Sequence, residues 1–322
     1  MTFFPSHFSF RLAAFGFLLF AAVGVAVRPQ ETAKPAQANA QPSLVLLNVR
    51  VTDAAGHAVS DVRQEEMRVM EDGVQQTISF FSKEEVPLSY GLVIDNSGSL
   101  RTQIDKVVEA GRIIVNNNTP EDETFLIRFI SSDRIELVTA FTSSKAVLFS
   151  ALDSLYVEGG QTAVVDAVYV AIEALVKSKR SLDGSNRRRA LVLITDGEDR
   201  GSKHKRAELA ELLHKEDIQI YVIGLTRQVE GKRERDKATD LLKFLAQETG
   251  GRAFFPNSVS ELRGIAEEIT RDLRTQYLIG YIPANGNQSN TFHKVQVTVA
   301  ESAGGEKRAA VTRVGYLAAP RQ

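Results

Sequence analysis

The sequence predicts an α/β protein: a doubly wound, Rossmann-like domain with a mostly parallel sheet, accompanied by a small β-sandwich assembled from the two flanks of the chain. Three observations lead there. From about Pro87 to Pro283, short β-rich apolar runs alternate with amphipathic helical stretches, as parallel strands buried on both faces require. Both flanks instead show the period-two alternation of half-buried strands. Neither flank alone carries enough strands to bury a core, so one sandwich shared by both, with the α/β unit inserted, is the economical arrangement.

Bulk properties narrow the function. At 322 residues the chain suggests two domains, or one large domain with extensions. A net charge of -1 argues against nucleic acid as a partner, because neutralising phosphates draws on a basic surplus. The chain has no cysteine, which excludes a disulfide framework, a thiol nucleophile and a thiolate zinc site.

In chain order, residues 1–27 read as a targeting segment. Phe8 to Val27 is almost wholly apolar, broken only by Ser9 and Arg11, and Gly24-Val25-Ala26 offers the small residues a signal peptidase reads. Leu12 to Val27 has the length of a secretory apolar core and is short for a membrane span; a retained N-terminal anchor is the alternative. Either places the rest of the chain outside the cytoplasm, secreted or periplasmic, with membrane contact only through such an anchor. Residues 28–43, rich in Ala, Gln and Pro, read as a flexible linker.

Residues 44–86 and 284–318 form the expected sandwich. Leu44 to Val51 ends in alternation, and Asp53-Ala54-Ala55-Gly56 supplies a turn. Strands around Met67 to Met70 and Gln76 to Phe81 are joined by Glu71-Asp72-Gly73. At the far end, Lys294 to Val299 and Ala309 to Tyr316 flank a turn at Ser302 to Lys307. Residues 87–283 hold the α/β unit, with strands at Tyr90–Ile94, Phe125–Ile130, Ala190–Ile194 and Ile218–Ile223. Ile135 to Phe141 alternates as an antiparallel edge strand would. Ile104, Val107, Val108, Gly111, Ile114 and Val115 share one helical face, as do Val164, Val165, Val168, Ala171, Ile172 and Leu175.

Sheets of this class bind ligands beyond the C-terminal ends of their strands, near the point where strand order reverses. The first strand runs straight into Asp95-Asn96-Ser97-Gly98-Ser99, whose alternate oxygen-bearing side chains can converge. Glu158-Gly159-Gly160-Gln161-Thr162 precedes a long helix, and Asp196-Gly197-Glu198-Asp199 follows the strand ending at Thr195. Each segment taken singly also reads as a helix cap or turn. Caps and turns do not account for two strand-end carboxylates and three hydroxyls gathered at one sheet edge. The donors are all oxygen, which suits Mg²⁺, Mn²⁺ or Ca²⁺ rather than zinc or copper. Only two are charged, so a coordination position stays open to an incoming carboxylate.

The pattern D-x-S-x-S at Asp95, Ser97 and Ser99, a threonine in a Gly-rich loop at Thr162, and T-D-G with Asp196 resembles the metal-ion-dependent adhesion site of von Willebrand factor type A domains. The resemblance spans roughly Pro87 to Tyr277, and the flanks are similar to a bacterial exported subgroup of VWFA-related proteins, including the segment Val69-Met70-Glu71-Asp72-Gly73. It implies that the serines and the threonine bind the ion directly or nearly so, with the aspartates often acting through water. It further implies one divalent cation, Mg²⁺ before Mn²⁺ or Ca²⁺, and a protein partner offering Asp or Glu. Asn96, Gly160, Gln161 and Glu198 are the expected partner contacts around it. The function so implied is metal-dependent adhesion or scaffolding. Similar domains also serve as non-catalytic subunits of chelatase- and ATPase-linked assemblies, an alternative that an export leader disfavours because those machines use cytosolic ATP.

Other chemistry finds no support. His7, His57, His204, His214 and His293 lack ligand spacing and read as solvated surface residues. No G-x-S-x-G surrounds Ser97, and neither a phosphate loop nor H-E-x-x-H occurs. No enzyme and no small-molecule substrate are expected. The charged run Glu230 to Lys237 follows the fourth parallel strand and reads as a solvated connection near the rim of the metal face.

Overall fold

The computed structural model describes residues 44–83, 85–178, 187–284 and 290–318. The leader and linker expectations lie outside the described residues. Among those described, no helix is long and apolar enough to cross a membrane.

The chain opens with strands β1 (Val45–Asp53), β2 (Met67–Glu71), β3 (Val74–Gln76) and β4 (Ile78–Ser82). The α/β unit follows: β5 (Leu88–Asp95), helix α1 (Ile104–Asn116), β6 (Glu123–Ser131), β7 (Arg134–Thr142), α2 (Lys145–Asp153) and α3 (Val164–Lys177). It continues with β8 (Arg188–Thr195), α4 (Arg206–Lys215), β9 (Gln219–Gly224), α5 (Lys232–Thr249), β10 (Arg252–Phe254) and α6 (Leu262–Arg274). The chain closes with β11 (Tyr277–Tyr281), β12 (Phe292–Val299), β13 (Arg308–Val311) and β14 (Gly315–Leu317).

The central sheet has the order β10-β9-β8-β5-β6-β7, parallel throughout except for β7, which pairs antiparallel with β6 at the edge. Every residue of β5 is buried, the reason its sequence is a continuous apolar run rather than an alternation. Successive side chains face opposite helical layers: Leu92 and Ile94 pack with α1, α2 and α6, while Val93 packs with α3, α4 and α5. Full burial of each such aliphatic side chain contributes about 1.5–3 kcal/mol. The chain winds outward from β5 to β7, then returns to the other side of β5 to lay down β8. The reversal therefore falls between β5 and β8.

The flanks form two four-stranded sheets, β13-β1-β11-β4 and β14-β12-β2-β3, each combining strands from both flanks. Leu47, Val49 and Val51 of β1, Val69 of β2, Ile279 of β11 and Val297 of β12 share one core, which makes the pair a sandwich. Three boundaries differ from the sequence reading. Tyr277–Tyr281, expected inside the α/β unit, is the strand between β1 and β4. The stretch Gln76 to Phe81 divides between β3 and β4, which belong to different sheets. The stretch Ala309 to Tyr316 likewise divides, because Thr312 Oγ1 donates to the Asn48 carbonyl and Val314 N to the Glu248 carbonyl, bending the chain between layers.

The sandwich joins the sheet at the edge where the parallel strands begin. At the start of β8 the Arg188 guanidinium, 2% exposed, donates to the Leu273 carbonyl at 2.6 Å and to Asn48 Oδ1 at 3.1 Å. Beside it Asp272 lies 3.6 Å from both Arg50 and Arg252.

Candidate metal centre

Ile94 of β5 stands opposite Ile194 of β8, so Asp95 and Asp196 leave the sheet together at the C-terminal edge, on either side of the strand-order reversal. Asp95 is wholly buried; its Oδ1 accepts Ser97 N at 2.9 Å and its Oδ2 accepts the Thr195 hydroxyl at 2.6 Å. Asp196, 1% exposed, accepts Glu198 N at 3.0 Å. Gly197 sits at φ +82°, a left-handed conformation that costs glycine little, and this turns the chain back beneath the carboxylates. Burial pushes the Asp95 carboxyl up to about 7 and the Asp196 charge adds to the rise, against the Thr195 and Ser97 hydrogen bonds that favour the ionised form.

The hydroxyls of Ser97 and Thr162 do not serve as helix caps. Ser97 precedes a single turn of 3-10 helix without capping it, and its Oγ lies 3.0 Å from Ser99 Oγ. The residue capping α3 is Ala163, so the Thr162 hydroxyl is not spent on the helix, and it makes no hydrogen bond among the described residues. The loops are stitched together through backbone. Thr162 O accepts Arg200 N at 2.9 Å and Gly201 N at 3.1 Å, and Asn96 O accepts Glu158 N at 3.0 Å. The three segments that carry Asp95, Ser97, Ser99, Thr162 and Asp196 thus meet at one sheet edge. Two mutually repelling carboxylates without an ion pair among the described residues, ringed by hydroxyls, make a donor set that fits a hard divalent cation.

Of the expected partner contacts, Gly160 and Gln161 are exposed, and Glu198 is half-buried and paired with Arg200. Asn96 requires correction. It is 0% exposed, and its Nδ2 donates to the Tyr156 carbonyl at 2.8 Å, so it fastens one loop to the next and faces no partner. His57 is exposed, as a solvated reading expects, and His7 lies outside the described residues, whereas the other three histidines are engaged. His204 Nδ1 lies 2.7 Å from Asp166 Oδ1 with its ring stacked on Tyr169, His214 Nε2 lies 2.7 Å from Glu248, and His293 is 7% exposed.

Sequence reasoning missed the support around the five expected ligand residues. Thr195, visible only as the T of T-D-G, holds Asp95 through its hydroxyl. Tyr156 is held under the Arg128 guanidinium, 4.0 Å from its ring centroid, with Arg128 also bound to Glu136 at 2.8 Å. No local pattern announces that cluster. Beside the crevice a cleft of about 440 Å³ is lined by Gly197, Glu198, Arg200, Lys205, Glu234 and Lys237 among others, so the charged run Glu230 to Lys237 does reach the rim.

Among solved structures, the chain is similar to BatB from Bacteroides thetaiotaomicron, with 21% identity over 57% of this chain and 98% of that one and a TM-score of 0.44. It is also similar to the vWF domain of the type V pili tip protein Mfa5 from Porphyromonas gingivalis, at 12% identity over 58% and 95% with a TM-score of 0.47. A third is proximal thread matrix protein 1 from the mussel byssus with a zinc-occupied MIDAS motif, at 20% identity over 63% and 49% with a TM-score of 0.48. No curated protein matches. The family model of the von Willebrand factor type A domain matches residues 91–268, more than half of the chain, running from within β5 to within α6 and including Asp95, Ser97, Ser99, Thr162 and Asp196. The chain belongs to the von Willebrand factor type A domain family.

Proposed function

We propose that this chain is a metal-dependent protein-binding module, an adhesion or scaffold element working outside the cytoplasm. Asp95, Ser97, Ser99, Thr162 and Asp196 hold one divalent cation, Mg²⁺ in the first instance. When bound, the ion supplies a Lewis-acidic position for an Asp or Glu carboxylate of a protein partner. The observation that carries this reading is the uncompensated pair Asp95 and Asp196, buried side by side at the strand-order reversal and ringed by hydroxyls. The protein's own residues do the positioning. Thr195 and Ser97 N orient Asp95, the Glu198 amide orients Asp196, and Asn96 ties the serine loop to the segment leading to Thr162. Exposed Gly160 and Gln161 and the half-buried Glu198 line the approach and select the partner. The extracytoplasmic placement belongs to the same reading and rests on the sequence of residues 1–27.

The test is capture of surface or secreted proteins on immobilised chain in Mg²⁺ and in EDTA. Partners retained in Mg²⁺ should be lost in EDTA and lost equally with Asp196→Ala. The same set of proteins in both buffers refutes the metal-dependent reading.

A further inference from the structure

Away from the crevice, Glu71, Asp72 and His293 each bring a ligand atom within 4.8 Å of the others. Glu71 ends β2, Asp72 opens the turn after it, and His293 lies on the neighbouring strand β12. His293 is more than nine-tenths buried; its Nδ1 lies 2.8 Å from Asp72 Oδ2, and its Nε2 is buried with no hydrogen-bond partner. Nδ1 is the nitrogen turned toward the acids, and with the ring proton on Nε2 its lone pair is available to ligate.

The two carboxylates are each half-used. Glu71, 4% exposed, receives the Tyr281 hydroxyl at 2.6 Å and the Tyr316 hydroxyl at 2.8 Å, both on Oε2, while Oε1 accepts no hydrogen bond among the described residues. Asp72 Oδ1 accepts Lys294 N at 2.9 Å, which leaves Oδ2 directed at the imidazole. One oxygen of each acid is held by a donor, Glu71 Oε1 accepts no hydrogen bond among the described residues, and Asp72 Oδ2 is engaged only by the imidazole that would share the ion with it.

We propose that Glu71, Asp72 and His293 form a second divalent-metal site. Two carboxylate oxygens and one imidazole nitrogen suit Zn²⁺ and its late first-row neighbours, in contrast to the all-oxygen crevice. Two negative charges and a neutral imidazole balance the ion. Bonds of about 2.0–2.2 Å in tetrahedral geometry set ligand atoms about 3.3 Å apart. The Nδ1–Oδ2 pair therefore opens by about half an ångström, and the widest separation closes by at most about 1.5 Å. The Asp72 side chain, 47% exposed at a turn, has the freedom to move. The bound ion cross-links segments 221 residues apart in sequence, fastening the N-terminal flank of the sandwich to the C-terminal flank.

The site does not rest on the crevice reading, and one experiment separates them. Untagged full chain is stripped with chelator, dialysed to equilibrium with Co²⁺, and its metal content and visible absorption are measured. Wild type should hold two equivalents and Asp95→Ala one, that one showing the d–d bands of cobalt in a mixed nitrogen and oxygen site. Asp72→Asn and His293→Gln should each remove this equivalent. Near-ultraviolet circular dichroism verifies folding, and if His293→Gln unfolds, the turn variant Asp72→Asn decides. Asp95→Ala binding no cobalt, or a second equivalent unmoved by Asp72→Asn, overturns the proposal. A wild type holding a single ion lost in Asp72→Asn and kept in Asp95→Ala upholds it and defeats the crevice reading instead.

Discussion

Replacing Asp95 with Asn should stabilise the protein in chelator and deprive it of any response to Mg²⁺. Burial and the Asp196 charge lift the folded-state Asp95 carboxyl from 3.8 to about 7. In the unfolded chain it titrates near its ordinary value. The folded state therefore binds the proton more tightly, so stability in chelator is full below about pH 4 and falls as pH rises, levelling off above about pH 7. Three pH units at 1.36 kcal/mol each give a loss of about 4 kcal/mol. The Asn side chain keeps the shape without the charge. Its oxygen can still accept Ser97 N, and its NH₂ can donate to the Thr195 hydroxyl, a rearrangement costing about 1 kcal/mol. Asp95→Asn should thus exceed wild type by about 3 kcal/mol at pH 8, the gap shrinking by about 1.4 kcal/mol for each pH unit below 7. Mg²⁺ at 1,000 times its Kd adds about 4.1 kcal/mol to wild type and nothing to the variant, reversing the order. Urea unfolding at pH 5, 6, 7 and 8, in EDTA and in Mg²⁺, reads all of this. If wild type equals or exceeds Asp95→Asn in EDTA at pH 8, the crevice does not hold two uncompensated carboxylates and the reasoning is wrong.

Two further outcomes follow from the surrounding structure. Asn96→Ala removes the side-chain tie to the Tyr156 carbonyl while keeping all five proposed ligands, so it should cost about 1–3 kcal/mol and weaken Mg²⁺ binding in a calorimetric titration; an unchanged Mg²⁺ affinity would show that the tie does not position the serine loop. Asp272→Ala leaves Arg50 buried beneath the sandwich without its partner and should lower stability by about 3–5 kcal/mol in thermal or urea unfolding, with a loss under about 1 kcal/mol counting against that ion pair as the joint.

The α/β unit was legible because its strands are buried on both faces. A run such as Leu92-Val93-Ile94 has no polar face to confuse its period, and the helix after it shows a clean apolar stripe. The five proposed donors stand out in the sequence because each is local to a strand end or helix start. What escaped were choices made by distant contacts. Tyr277–Tyr281 reads as one more apolar run, and only its pairing with β1 and β4 assigns it to the sandwich. Asn96 looked like a contact residue because polar residues beside ligands usually face outward, yet a carbonyl 60 positions away draws it inside. His293 carried no signal, since its partners Asp72 and Glu71 sit at the opposite end of the sequence and meet it only through the pairing of β12 with β2.

The joint at Arg188 and Asp272 and the crevice at Asp95 and Asp196 occupy opposite ends of the same strands. Eight residues of β8 at about 3.3 Å each put roughly 25 Å between them. The sandwich thus braces the α/β unit at the end of these strands away from the proposed crevice, so the strands between act as a spacer that keeps the two apart.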